Sequence, residues 1–275
     1  MRIQHNIAAL NAHRQLGNNN TSVSKSLEKL SSGYRINRAG DDAAGLAISE
    51  KMRAQITSLD TAQKNANDGI SLIQTAEGAL TEVHSMLNRM VEISMQSANG
   101  IYDDTVDRKN LQEEFAQLRT EINRIADTTT FNGTKLLDGT KGTITLQIGD
   151  TAASSNMLGV KISSIKTSEA NMKINADSIS SYSGAKTAVS NVKDAINYVS
   201  SIRGKLGAYQ NRLEHTVNNL GATSENMSAA ESRIRDVDMA KEMMSYTKNN
   251  ILVQASQAML AQANQLPQGV LQLLQ

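Results

Sequence analysis

Cysteine is absent from this chain, which rules out a disulfide framework or a thiolate metal site without fixing a compartment. There is one proline, Pro267, so no proline interrupts a helix before the C-terminal end. Tryptophan is missing and aromatics make up 3% of residues, so the 39% hydrophobic content rests on aliphatic side chains and 12 Met. That composition suits close helix-to-helix packing better than sheets or aromatic ligand pockets. The formal net charge is +1, with basic and acidic residues interspersed, which leaves no electrostatic footprint for nucleic acid and no polybasic patch for a membrane surface. No apolar run reaches the length of a membrane span, so no membrane insertion is expected. Met1 to Leu10 lack the basic-then-apolar layout of a secretory signal, and export would need a route without a cleaved signal.

What the chain does have is periodicity. From Gly184 to about Arg235, apolar residues recur at alternating gaps of three and four: Val189, Val192, Ile196, Val199, Ile202, Leu206, Tyr209, Leu213, Val217, Leu220, Thr223, Met227, Ala230 and Ile234. One continuous helix of that length, at about 1.5 Å per residue, spans about 75 Å. Its near-3.5 repeat predicts a seam against other long helices. A second long helix is predicted from about Ala43 to Ala98, with its stripe running from Ala66 through Ile70, Ile73, Ala76, Leu80, Val83, Leu87 and then Met90 or Val91 to Ser94. A third, roughly Thr105 to Ala126, carries Leu111, Phe115, Leu118, Ile122 and Ile125.

The N-terminal pattern reads as two helical pieces, with a break near Gly17 in the polar run Gly17-Asn18-Asn19-Asn20. Ser31 to Asp42 reads as a loop, in which Asp41 and Asp42 either cap the next helix or pair with Arg35, Arg38 or another subunit. Two hairpin-type turns, Asn132-Gly133 and Asp138-Gly139, precede a short alternating strand at Ile144, Leu146 and Ile148. From Asp150 to Gly184 no period is sustained, which predicts a small, exposed, partly irregular region.

The two ends share an unusual lack. From Asn249 to the terminus there is no Asp, Glu, Lys or Arg, and the first 27 residues hold only Arg2, Arg14 and Lys25. Ile251, Ala255, Ala258 and Met259 nevertheless share one helical face, as do Ile3, Ile7 and Leu10. A stand-alone soluble module needs solubilising charge on such helices; ends of this kind suit burial among other chains. Membrane-surface binding needs the Lys and Arg these faces lack. The Met clusters, Met86, Met90, Met95 and Met239, Met243, Met244, read as seam filler or as a docking groove. The four His form no metal-binding pair, and no P-loop, dinucleotide fingerprint or nucleophile elbow is present. No catalytic, cofactor or metal site is assigned and the chain is read as a non-enzyme. A polymerising structural protein competes with a secreted coiled-coil adhesin.

Three runs carry a resemblance: Met1-Arg2-Ile3-Gln4-His5-Asn6-Ile7-Ala8-Ala9-Leu10, then Leu30 through Ile48 with Ser31-Ser32-Gly33-Tyr34-Arg35-Ile36-Asn37-Arg38-Ala39-Gly40-Asp41-Asp42 inside it, and Ser232-Arg233-Ile234-Arg235-Asp236-Val237-Asp238-Met239-Ala240 to Gln275. They resemble bacterial flagellin, over about residues 1 to 142 and 185 to 275. Hook-associated junction proteins of the same family share the terminal design. The resemblance implies a mainly α fold: long antiparallel helices in a coiled-coil-like rod with a small β-hairpin element, and helical termini packed together. Its division would be an inner-core helix and loop at 1–42, a first rod part with hairpin at 43–142, a short variable surface segment at 143–184, the long rod helix at 185–235 and an inner-core helix at 236–275.

The resemblance also implies a homopolymeric helical filament serving motility, secreted and extracellular. Its implied partners are an export chaperone at the C-terminal region and hook-associated junction and cap proteins. Subunit contacts fall on Ile3, Ile7, Leu10, Ile251, Leu252, Ala255, Ala258, Met259 and Leu271, with polar loop contacts at Arg35, Arg38, Asp41 and Asp42. A host Toll-like receptor for flagellin is a further implied partner. Its contacts carry over to Leu87, Arg89, Glu92, Ile93 and Glu114, within a motif Asn88 to Gln96 that departs from many receptor-active members at Val91, where they carry a basic residue.

Overall fold

Alternating gaps of three and four become the shielded stripes of all five helices. The computed structural model describes residues 6–104, 106–168 and 172–273, with side chains described as far as Gln265. In chain order the elements are α1 (Ile7–Ser32), α2 (Ala43–Ser97), α3 (Asp107–Thr128), β1 (Thr130–Phe131), β2 (Thr134–Lys135), β3 (Ile144–Gln147), a 3-10 turn (Ser154–Asn156), β4 (Met157–Val160), α4 (Tyr182–Arg235) and α5 (Met239–Leu273). The fold is mainly α, with two small antiparallel strand pairs. It divides into two compact units, one formed by Met1–Ile56 with Glu225–Gln275 and the other by Thr57–Ser224. Among the described residues no helix is long and apolar enough to cross a membrane.

In the Thr57–Ser224 unit, α2 presents Ala66, Ile73, Ala76, Leu80, Val83, Leu87 and Met90 to one core, with Ser94 buried at the next turn. α4 meets them with Ala185, Ala188, Val192, Ala195, Val199, Ile202, Leu206 and Leu213, and α3 adds Phe115, Ile122 and Ala126. Side chains tie Arg203 to Glu77 at 3.4 Å and Ser224 to Asp60 at 2.9 Å, so α2 and α4 run antiparallel. Each fully buried Leu, Ile or Val contributes on the order of 1.5–3 kcal/mol, which makes this seam the dominant stabilising feature. The α4 stripe differs from the predicted one at its start. Ala188 and Ala195 occupy the seam, while Val189 and Ile196 sit half-buried on its edge. Reading by side-chain size selects the β-branched residues, but helix geometry selects the position.

Between Asp150 and Gly184 the described residues are partly irregular and many are exposed, as expected, but most of the larger apolar ones are not. Leu158, Val160, Ile162, Ile165, Met172, Ile174 and Ile179 are all buried in the same core as the helices. Side chains pin this strap in place: Asn123 Oδ1 accepts from the Thr167 amide and hydroxyl, Gln112 accepts from the Ile179 amide at 2.6 Å, and Tyr198 donates to the Ser164 carbonyl. No sustained period was needed, because each tether is separate. Gly184 is required where the strap enters α4, since a Cβ there would run into the Ser178 carbonyl.

Of the two turn signals, Asn132-Gly133 makes a hairpin. Both residues have positive φ, 46° and 74°, as a type I′ turn demands, and Phe131 pairs with Thr134. Asp138-Gly139 does not. There the Asp138 carboxylate accepts from the Thr140 hydroxyl and amide, which holds its pKa below the ordinary value and closes an Asx turn. The predicted strand at Ile144 pairs instead with β4, Ile144 opposite Val160.

In the other unit α1 and α5 pack together and antiparallel, as the Asn6 bond to Ala263 and the Asn19 bond to Ser256 require. α1 is one unbroken helix through Gly17. Asn19, read as part of a break, is buried and donates to Ser256 Oγ at 2.9 Å and to the Leu252 carbonyl at 3.4 Å. Asn6 caps α1 by accepting from the Ala9 amide, and Gly33 closes it at φ 76° with its N–H on the Lys29 carbonyl.

Candidate self-association surface

α5 carries two stripes that differ in chemistry. Glu242, Tyr246, Asn249, Val253, Ser256, Leu260 and Ala263 recur at gaps of four and three, and these are its shielded positions. On α1 the corresponding stripe is Ala9, Ala12, Leu16, Asn19, Val23, Ser26 and Leu30. The pairing thus alternates larger apolar residues, Leu16, Val23 and Leu30 on α1 and Tyr246, Val253 and Leu260 on α5, with small and polar ones. Sequence reading by hydrophobicity missed the α5 stripe, although its 3–4 spacing was available.

The apolar face lies elsewhere. Ile251 is 59% exposed, Met259 67%, and Leu252, Ala255 and Ala258 are also exposed. With Met243, Met244, Thr247 and Lys248, the residues Ile251 and Leu252 line a groove. On α1, Ile7, Leu10 and Leu27 are likewise exposed. Of the remaining predicted contacts, Ile3 lies outside the described residues, and Leu271 lies in α5 with its side chain outside them.

The polar loop between α1 and α2 is occupied within the chain. Asp42 accepts from the Gly45 amide at 2.9 Å and caps α2. Asp41 accepts from the amides of Arg38 and Asn37, in that order of effect, and these hold its carboxyl below the usual range. Arg38 pairs with Glu28 at 2.8 Å rather than with either aspartate. Arg35 donates to the Ile234 carbonyl at 2.5 Å and Arg233 carbonyl at 3.4 Å, at the C-terminal end of α4 where cations are favoured. Beside it the Arg235 guanidinium lies 4.7 Å over the Tyr34 ring and pairs with Glu50.

On the surface of α2 and α3, Arg89 bonds Glu114 at 2.9 Å and Glu92 at 3.1 Å. Both carboxylates, Glu114 first, hold the Arg89 pKa above its ordinary value. Arg89 remains half-exposed. The carried-over contacts Leu87 and Ile93 need correction: both are fully buried in the helical core, so neither offers surface to a partner in this conformation. Arg108, which sequence reading did not single out, is buried and donates to the carbonyls of Ser97 and Asn99, closing the end of α2.

Paired helical ends that turn a largely apolar face outward fit the class of self-associating structural subunits. The model for the bacterial flagellin N-terminal helical region matches residues 3–142, and that for the C-terminal helical region matches residues 189–274. The chain belongs to the bacterial flagellin family. A flagellin of Halalkalibacterium halodurans is 57% identical over 274 residues, covering 100% of both chains, and one of Bacillus subtilis is 53% identical over 303 residues with the same coverage. Among solved structures, Bacillus cereus flagellin aligns with a TM-score of 0.51 at 30% identity, over 61% of this chain and 94% of that one. A putative flagellar hook-associated protein of Vibrio parahaemolyticus shares the fold, with a TM-score of 0.61 at 14% identity over 71% of this chain and 100% of the other. Family membership makes the chain a structural, self-polymerising subunit of the extracellular flagellar filament.

Proposed function

We propose that the outward faces of α5 and α1 are the surfaces through which copies pack in a filament that drives motility. The single observation that carries this reading is that Ile251, Leu252, Ala255, Ala258 and Met259 stay exposed after α1 has paired with α5, on a stretch with no charged residue. Exposed apolar area of this kind marks an interaction site. Ile7 and Leu10 extend it, and Ile3 and Leu271 join it by sequence pattern. Before assembly the same α5 face is the natural seat of an export chaperone, and junction and cap proteins meet the subunits at the filament's ends. The test is seeded polymerisation of Ala255→Asp. A carboxylate buried without a partner costs several kcal/mol, repeated at every subunit, so filaments should be lost. Normal filament yield from this variant would refute the assignment.

A second reading, recognition by the flagellin-sensing Toll-like receptor, is favoured by the exposed trio Arg89, Glu92 and Glu114, whose charges face solvent beside one another. Val91 replaces a basic residue of many receptor-active members, and loss of one charged hydrogen bond weakens binding by roughly 1.5–3 kcal/mol. Monomer binding should persist at reduced affinity and fall further in Arg89→Ala. A titration in which Arg89→Ala binds as the parent does would remove this patch from consideration.

A further inference from the structure

With no cysteine, the chain's most easily oxidised groups are its methionine thioethers. They are unevenly placed. Met90 and Met172 are fully buried, whereas Met244 and Met259, at 68% and 67%, have the greatest fractional exposure of the described methionines. Both lie on α5 away from its seam with α1, and Met244 lines the groove with Ile251 and Leu252.

We propose that Met244 and Met259 form an oxidation site that controls whether a free subunit can assemble, an inference that rests on the α5 face being a subunit interface. A peroxide or hypohalous acid transfers one oxygen to the thioether sulfur. With hydrogen peroxide, the sulfur donates an electron pair to one peroxide oxygen, the O–O bond breaks, and the departing hydroxide takes the proton of the transferred oxygen to leave as water. The product sulfoxide is polar and a strong hydrogen-bond acceptor; Met244 shares its groove with Thr247 and Lys248 as well as Ile251 and Leu252, so a sulfoxide there acts by making an apolar contact surface polar, while Met259 lies on the stretch of α5 that has no charged residue. The free subunit presents both sulfurs to solvent, and a packed interface would shield them. Oxidation therefore acts before assembly, and a thiol-dependent methionine sulfoxide reductase reverses it, releasing water and a disulfide of the thiol.

The experiment treats full-length monomer with graded hydrogen peroxide, locates added oxygen by peptide mass mapping, and measures seeded filament growth. Met244 and Met259 should react before Met90 and Met172, and growth should fall by about tenfold or more as they do. Treatment with the reductase and dithiothreitol should restore growth. Each variant is compared with its own untreated growth: peroxide should not lower that of Met244→Leu/Met259→Leu, while Met95→Leu/Met157→Leu should remain sensitive. Undiminished growth of protein oxidised at both positions overturns the proposal, and so does a loss that persists once the sulfoxides are reduced. The Ala255→Asp variant separates the two readings. If oxidised protein assembles and Ala255→Asp does not, the oxidation site is wrong and the interface stands; if both assemble, the interface fails with it.

Discussion

At Asp177 the surroundings oppose the charge of the carboxyl. Burial pushes its pKa above the ordinary value, against the hydrogen bond from Asn191 at 2.7 Å and the attraction of Arg119, and its second oxygen has no partner. As pH rises the unfolded chain loses this proton first, so ionisation favours unfolding until the folded pKa is also passed. Asp177→Asn should therefore raise the melting temperature at about pH 7 and leave it unchanged near pH 3, where the carboxyl is protonated in both states. Thermal melts at the two pH values decide; equal shifts at both would show that packing, not charge, is responsible. At Asp42 the expectation is the reverse. Removing its cap on Gly45 with Asp42→Ala should cost about 1 kcal/mol of stability, read from denaturant melts. Asp194, exposed on α4, should tolerate Ala without loss of filament yield, in contrast to Ala255→Asp.

At the scale of the element, the α1–α5 pair is built for register rather than strength. Small residues such as Ala9, Ala12 and Ala263 bury little area, and Asn19 occupies a position where Leu would pack better. A buried Asn with its partner opposite fixes axial alignment at a cost in stability, because a slipped pair would leave its amide unsatisfied. Asn19→Leu should therefore stabilise helix pairing yet permit slipped alignments. The chain has no native cysteine, so a single Cys pair at Val23 and Asn249 reports the native alignment by disulfide formation. Its yield should drop in the Asn19→Leu background, with Val23→Cys now also trapping Ser256→Cys one heptad away. An unchanged pattern would mean that Asn19 only fills space. The predicted break at Gly17 fails for the same reason: a polar run lowers helix propensity by roughly 1 kcal/mol at the glycine, and a partner helix outweighs it.

At the scale of the molecule, the two units differ in what holds them. The Thr57–Ser224 core is large and aliphatic, while the paired ends rest on a seam that mixes apolar with small and polar residues and keep their apolar face exposed. Deleting Leu260 to Gln275 removes part of that pairing but no residue of the large core, so filaments should disappear while most helicity remains. Circular dichroism and electron microscopy of the truncated protein test both halves of this expectation. Normal polymerisation would show that the end is dispensable.

The long helices and their seams were legible because a 3.5-residue repeat is a local property of the chain, written by spacing alone. The uncharged ends were legible for a similar reason, since composition does not depend on folding. The I′ turn at Asn132-Gly133 was equally local, set by two residues that tolerate positive φ. The tertiary structure alone decided which residues face which partner. It turned Val189 and Ile196 to the edge, gave the α1 pairing to Tyr246, Val253 and Leu260, and left Ile251 and Met259 outside. It also drew Leu158, Val160, Ile162, Ile165, Met172, Ile174 and Ile179 into the core, because distant tethers such as Asn123 to Thr167 have no signature in either segment by itself. The physical reason is common to all three cases: periodicity defines a face, but which face is buried depends on the elements available to cover it.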